Sequence, residues 1–449
     1  MNFVEPRLGL EQEFFLVDKE GILSNQADIF LQRCWDLARE KGHYSYCFVP
    51  EFVKSVVEIN TIPAHNLTEL TAEYIKTLQL GLQAAQELNL RLYPLSTYPL
   101  HIMPVMRDLP DCHLQLRTIG LERFENAAKC TGTHLHLEMP AGTIDRRVGS
   151  SYNSSAEARA ELLNIYNLVT ALDAALITLS RACPFYEGRV SSMAMRTVHY
   201  RGSETYGWEG VYTHLQPVGG LLPYANSIED LVEQLFHRYY TWLEAMERVG
   251  IPRQLFLETG GELLTVGWNP VRLNRLGTLE LRGMDSNYPE ITLALITLVV
   301  DAVTRVRHEG LTVRPQPGAK FFELKGQLLT VPEFEYLNGE LLYGAVTEGV
   351  DSTIVRTYLD SVLEFASGDG ELTEALARFR NVLGEYRTTE IQLLKEFAPA
   401  TEQLSRHEGL RLVRHCCDQL EAQVEFLAQH SSQKALAASM EQTFPTNCF

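Results

Sequence analysis

Four short segments carry acidic or imidazole side chains at the two-residue spacing that puts them on one face of a β-strand. In residues 8–17 (LGLEQEFFLV), Glu11 and Glu13 share a face, while Leu8, Leu10, Phe14 and Leu16 point the other way. Like charges side by side on a strand repel, and a hard divalent cation held by oxygen ligands is the economical way to offset them. In residues 52–61 (FVKSVVEINT), Glu58 lies among β-branched neighbours that mark a strand; a carboxylate there, if buried, needs a partner or a metal. Residues 130–138 (CTGTHLHLE) put His134, His136 and Glu138 on one face, opposite Leu135, Leu137 and Met139. Histidines alone would point to zinc, but ligands that are mostly carboxylates suit magnesium or manganese better. In residues 277–282 (GTLELR), Glu280 and Arg282 lie together, as a metal ligand beside a forked donor for phosphate oxygens. Each strand alone has a plainer reading, a solvated face or a surface salt bridge. Adjacent in one sheet, they would form a single polar floor.

A second group is cationic. Residues 180–189 (SRACPFYEGR) leave a long helix and turn at Pro184 and Gly188, and Arg189, Arg196 and Arg201 follow one another in this connection. Arginines on such a loop suit the clamping of a carboxylate or a phosphate. Gly219-Gly220 and Gly260-Gly261 read as turns or as loops over a nucleotide; neither matches a P-loop or a dinucleotide fingerprint.

The elements that must position these residues follow from periodicity. Apolar residues at three- and four-residue spacing predict helices over 66–91, 156–181, 228–249 and 290–309. Strands scattered among helices without a regular βαβ rhythm predict an α+β fold with a curved, largely antiparallel sheet and flanking helices. From about 351 the strand signals stop, and helical stretches near 352–366, 371–397 and 400–430 predict a C-terminal helical appendage. The expected division is a catalytic domain over 1–350 and a helical extension over 351–449, with the last dozen residues a loose terminus.

Composition limits the partners. Lys+Arg of 39 against Asp+Glu of 57 gives a net charge of −18 with no basic block, which disfavours nucleic acid. The eight cysteines form no C-x-x-C pair or zinc spacing and read as reduced thiols, no hydrophobic signal core opens the chain, and the most apolar helix is interrupted by Asp301. These features predict a cytoplasmic enzyme that does not span a membrane.

In order along the chain, LGLEQEFFLV (8–17), VVEINTIP (56–63), CTGTHLHLE (130–138), SRACPFYEGR with Arg196 (180–196) and LGTLELRGMDS (276–286) resemble the carboxylate–amine ligases of the glutamate–cysteine ligase type 2 group, which are related in fold to glutamine synthetase. The resemblance implies metal ligation by Glu11, Glu13, Glu58, His134 and Glu280, with His136 near the phosphates. It implies that Arg282 stabilises the transferred phosphoryl group, that Arg196 acts at the catalytic and substrate end, and that Arg189, joined by Arg201 on the same connection, binds substrate. It also implies Mg2+ or Mn2+ as cofactor, ATP as co-substrate, a small acid (the γ-carboxylate of glutamate) and an amine (cysteine) as substrates, and a homodimer. One motif departs from the pattern: where the group has W-D-x-R, this chain has Trp268-Asn269-Pro270-Val271, which puts Val271 at the arginine position and Arg272 next to it. Three competing activities remain: a guanidino-kinase-like phosphotransferase, a non-catalytic metal- and ATP-binding protein, and a metal-dependent hydrolase using the histidine strand.

Overall fold

A computed structural model describes residues 6–150, 153–367, 388–399 and 401–429. The expected helix over 371–397 is therefore seen only in part, and the terminal dozen residues lie outside the described ones. The centre is a seven-stranded antiparallel sheet made by β1 (Leu8–Asp18), β2 (Phe48–Pro50), β3 (Val56–Asn60), β4 (Leu90–Tyr93), β5 (Gly132–Glu138), β6 (Val271–Asn274) and β7 (Thr278–Asp285). The strands run in the order β6-β7-β5-β1-β3-β2. Phe15 pairs with Val56 on one side and Tyr93 on the other, so β4 takes the edge of β1 that β5 leaves after Gln12. The sheet is open, and its antiparallel strands with flanking helices make the expected α+β fold.

Alternation along each strand sets the two faces. Leu10, Phe14, Val57, Ile59, Leu135, Leu137, Leu279, Leu281 and Leu273 are all buried on the apolar side. Each such side chain contributes about 1.5–3 kcal/mol on burial. Helix α1 (Ala27–Glu40), α2 (Leu67–Glu87) and α3 (Pro289–His308) join this core through Phe30, Leu37, Leu70, Tyr74, Leu78, Leu295 and Val299. α2 begins where Asn66 Oδ1 accepts from the Glu69 amide at 2.9 Å and Glu69 returns a bond to the His65 amide at 2.9 Å, a reciprocal cap written in the sequence as N-x-x-E. Gln12 breaks the alternation: it is fully buried on the apolar side, where it donates to the Asn287 carbonyl at 2.6 Å and accepts from Tyr74.

The helix expected over 156–181 is two helices, Ala156–Ala171 and Asp173–Ser180, bent by 44° at Leu172. The bend delivers Asp173 to Arg201, whose Nη1 lies 2.7 Å from Asp173 Oδ2, as part of a buried two-pronged pair. Periodicity carries through the bend, so sequence alone did not reveal it. Among the described residues, the helices after 351 are Thr353–Ser367, Thr389–Phe397 and Arg406–Gln429. The last two pack on the sheet, with Leu393, Phe397, Val413 and Cys417 in one cluster with Phe15, Val17 and Tyr93. Seven cysteines are free and buried, and Cys448 lies outside the described residues. Among the described residues no single helix is long and apolar enough to cross a membrane.

Candidate functional site

The strand register brings the charged faces together. Glu11 pairs with His134 on one side and Asn60 on the other, Glu13 with Glu58, and Glu280 with His136 on one side and Arg272 on the other. Directly opposed residues share a face, so acids and imidazoles from four strands form one continuous floor. Glu11 is the hub: its Oε2 lies 3.1 Å from His134 Nδ1 and its Oε1 lies 3.1 Å from His136 Nε2. The second approach lacks hydrogen-bond alignment, and His136 Nε2 is buried without a hydrogen-bond partner. Glu13 accepts from the Gly132 amide at 2.6 Å and lies 3.8 Å from His134 Nε2.

Three overlapping triads could each hold a cation: Glu11, His136 and Glu280; Glu11, Glu58 and His134; and Glu13, Glu51 and Glu58. In each, the donor atoms lie within 4.8 Å of one another. The donor chemistry, carboxylate oxygens with two imidazoles, fits a hard divalent ion. The charge state agrees. Burial, then the charge of Glu13, pushes Glu51 up to about 8. Burial, then Glu11, holds Glu58 well above the usual carboxylate range. Acids pushed toward the neutral form by burial and by one another mark a site short of positive charge. Burial works the same way on Glu11, but the two imidazoles of His134 and His136 beside it outweigh burial and hold Glu11 low.

The Glu280 end is different. Arg272 reaches across from β6, with Nε 2.7 Å from Oε2 and Nη2 3.2 Å from Oε1, and Asn274 Nδ2 lies 2.5 Å from Oε2. Arg282 Nε approaches Oε1 to 3.0 Å without hydrogen-bond alignment. Burial opposes ionisation of Glu280, yet Arg272 and Arg282 hold its pKa well below the usual range. Arg282 is aimed by a β-bulge: the register shifts between Leu281 and Met284, so Arg282 and Gly283 together oppose His134. Arg282 Nη1 also donates to the Trp268 carbonyl at 3.1 Å.

Arg196 is buried beside this bulge and donates to the Arg282 carbonyl at 2.7 Å, with its guanidinium over the Tyr200 and Trp268 rings. Only glycine fits beneath it, since a Cβ on Gly132 would stand 2.1 Å from Arg196 Nη2. Arg201 does not reach the floor; it is committed to Asp173, and the pair supports the bulge from below, where a Cβ on Gly283 would meet Asp173 Oδ1 at 3.1 Å. Arg189 is exposed on a two-residue ribbon that bridges to Gln403, and none of its contacts among the described residues is with the floor. Glu138 pairs with Arg7 at the strand end.

Three site residues escaped the sequence reading. Glu51 follows a strand of only three residues, too short to show alternation. Arg272 and Asn274 did leave a signal, the alternation V-R-L-N over 271–274: Val271 and Leu273 are buried, and Arg272, not Val271, faces Glu280. A cavity of about 460 Å3 opens beside Glu11, Arg272 and Asn274, walled by Tyr212, Trp242 and Phe256.

Residues 7–339 match the model of glutamate–cysteine ligase family 2. The chain belongs to that family. The matched stretch contains every residue of the floor. A Chloroflexus aurantiacus protein provisionally named glutamate–cysteine ligase 2 is 25% identical over 183 residues, 40% of this chain and 41% of the relative. A Chloroflexus aggregans counterpart is 24% identical over the same length. The matched region thus spans less than half the length of these relatives. In fold, the chain is similar to a bifunctional glutathione synthetase from Pasteurella multocida (TM-score 0.58, 17% identity, 98% of this chain and 56% of that one). It is also similar to a glutamate–cysteine ligase from Francisella tularensis in complex with AMP (TM-score 0.50, 11% identity, 98% of both chains). Within the glutamate–cysteine ligase family 2 chain described here, the expected α+β architecture is thus matched by solved ligase structures over nearly the whole sequence.

Proposed function

We propose that this chain is an ATP-dependent carboxylate–amine ligase that joins a small carboxylic acid, the γ-carboxylate of glutamate, to an amine such as cysteine. The observation that carries the reading is the convergence of Glu11, Glu13, Glu58, His134 and Glu280 on one face beside Arg282 and Arg196, with a cavity opening at the Glu11 end. Mg2+ or Mn2+, held by the three triads, would neutralise phosphate charge as the phosphoryl group moves. The cavity walled by Tyr212, Trp242 and Phe256 takes the nucleotide, with its phosphates directed at the floor.

The ligation has two steps. An oxygen of the substrate carboxylate attacks the γ-phosphorus of ATP, the bond to the bridging oxygen breaks, and ADP leaves with an acyl phosphate formed. The amine nitrogen then attacks the carbonyl carbon, the C–O bond to phosphate breaks, and amide, phosphate and one proton are released. Arg282 sits where charge gathers on the transferred oxygens, and the bulge and the Trp268 carbonyl hold it there. Arg196, lying against the Tyr200 and Trp268 rings, keeps that bulge in register through the Arg282 carbonyl. His136, fixed by Thr278 Oγ1 at 2.9 Å from its Nδ1, presents Nε2 3.1 Å from Glu11 Oε1, where it would meet the phosphates.

An ADP-release screen with Mg2+, pairing amino acids with a panel of amines, tests the reading. Release should require both partners, and Glu280→Ala and Arg282→Ala should abolish it in folded protein, the arginine loss costing about 2.7–4 kcal/mol of barrier. Full release by both variants, or a stable phosphorylated product with no amide, would overturn it.

A further inference from the structure

Glu280 is a metal ligand in the proposed reading, yet its carboxylate is already crowded. Two hydrogen bonds from Arg272 and one from Asn274 occupy its oxygens, and Arg282 Nε stands 3.0 Å from Oε1. Of a carboxylate's roughly four lone-pair positions, three hydrogen bonds take three and the unaligned Arg282 guanidinium stands against the oxygen that carries the fourth, so a cation reaching Glu280 meets a guanidinium unless one gives way. The donors are not equally anchored. Arg282 is also tied to the Trp268 carbonyl and lies against the Trp268 ring. Arg272 makes both of its described hydrogen bonds to Glu280, and its guanidinium lines the cavity beside Glu11. It alone combines a single anchor with an open side.

From this we infer that Arg272 is an exchange latch: it holds Glu280 in place of a divalent ion while the cavity is empty, and swings to the phosphates when metal and nucleotide arrive together. The inference rests on the ligase reading and adds a specific consequence to it. A cation entering the Glu11–His136–Glu280 triad would stand beside two guanidinium groups, which repel it. An anion that draws Arg272 away frees a lone pair of Glu280 and compensates the displaced charge in one move. Cation and polyphosphate should therefore bind cooperatively, and linkage requires each to tighten the other equally. The carboxylates of the other two triads carry no such latch: among the described residues no arginine side chain hydrogen-bonds a carboxylate oxygen of Glu11, Glu13, Glu51 or Glu58, and Arg107 reaches only the Glu51 backbone carbonyl.

The test is Mn2+ binding to the full chain, read as free Mn2+ by electron paramagnetic resonance, with and without β,γ-methylene-ATP. In the wild type the weaker Mn2+ site should tighten on the order of tenfold when the analogue is present. In Arg272→Gln that site should already be tight without the analogue, the coupling should fall toward one, and the analogue itself should bind more weakly. Arg272→Lys, which keeps the charge and loses the fork, should give intermediate coupling, and it carries the test if Arg272→Gln is unstable. Coupling in either variant equal to the wild type overturns the latch and leaves the ligase reading intact. A wild-type chain that binds no Mn2+ overturns both.

Discussion

Glu51 provides the sharpest test of the floor, because its proton and a cation compete for the same oxygens. Its pKa is pushed up to about 8 by burial and by Glu13, against an ordinary 4.5. At pH 7 a cation must displace that proton at a cost of about 1.4 kcal/mol, and at pH 6 about twice that, since each pH unit below the pKa costs roughly 1.4 kcal/mol. Mn2+ affinity should therefore rise about tenfold per pH unit between pH 6 and 8 from Glu51 alone. The profile should be steeper still from Glu58, which is raised in the same direction. Free of metal, the chain should show the opposite trend. A carboxyl whose folded pKa is raised binds more protons folded than unfolded, so its stabilising contribution is complete below about 4.5 and is lost as pH rises toward 8. Glu51→Gln removes one titrating ligand: the slope of log affinity against pH should drop by about one, the affinity at pH 8 should fall, and the metal-free chain should lose part of its alkaline destabilisation. Free Mn2+ measured by electron paramagnetic resonance, with thermal melts at pH 6 and 8, reads all three. A wild-type profile flat between pH 6 and 8, or an unchanged slope in Glu51→Gln, would refute the reasoning.

Two further perturbations probe the support beneath the arginines. Gly132→Ala places a methyl group 2.1 Å from Arg196 Nη2, so it should cost about 1–3 kcal/mol of stability by overpacking and depress ADP release. Adding Arg196→Ala should recover the stability, seen by denaturant melts, without recovering turnover. Asp173→Asn leaves the buried Arg201 charge without its counter-ion and should destabilise by about 3–5 kcal/mol; a loss under 1 kcal/mol on urea unfolding would show that the pair is not what props the bulge.

What the sequence disclosed and what it hid divide along one physical line. Side-chain alternation has a period of two whatever the tertiary context, so Glu11 with Glu13, His134 with His136 and Glu280 with Arg282 were legible as shared faces before any coordinates. The antiparallel register then needed only to align those faces. Features that depend on partners far along the chain were invisible. Arg201 looked like a clamp because nothing in its neighbourhood announces Asp173, and the bend at Leu172 that brings the two together leaves the helical period undisturbed. Arg189 looked equivalent to Arg196 because both follow the same helix, yet one lies on an exposed ribbon and the other under the bulge. Glu51 was hidden by a strand too short to show a pattern. The count from Trp268 puts Val271 at the arginine position and Arg272 beside it, although the alternation V-R-L-N is as clear as in the other strands and gives the floor to Arg272.

The two ends of the floor are short of charge in different ways, and this asymmetry follows from which side chains the strand order places next to each other. β3 and the residue after β2 bring Glu58, Asn60 and Glu51 to one end; Asn60 donates one hydrogen bond to Glu58, but burial and like charge favour the protonated acids, so a cation there replaces protons. β6 and β7 bring Arg272, Asn274 and Arg282 to the Glu280 end, so Glu280 is ionised but already compensated, and a cation there replaces a guanidinium. Replacing a proton depends on pH and needs no other ligand. Replacing a guanidinium needs somewhere for that guanidinium to go, and the cavity beside Arg272 is where a polyphosphate can receive it. On the latch proposal, one sheet face would hold one ion before the nucleotide arrives and admit another only with it, so the floor would be completed only when a polyphosphate is in place.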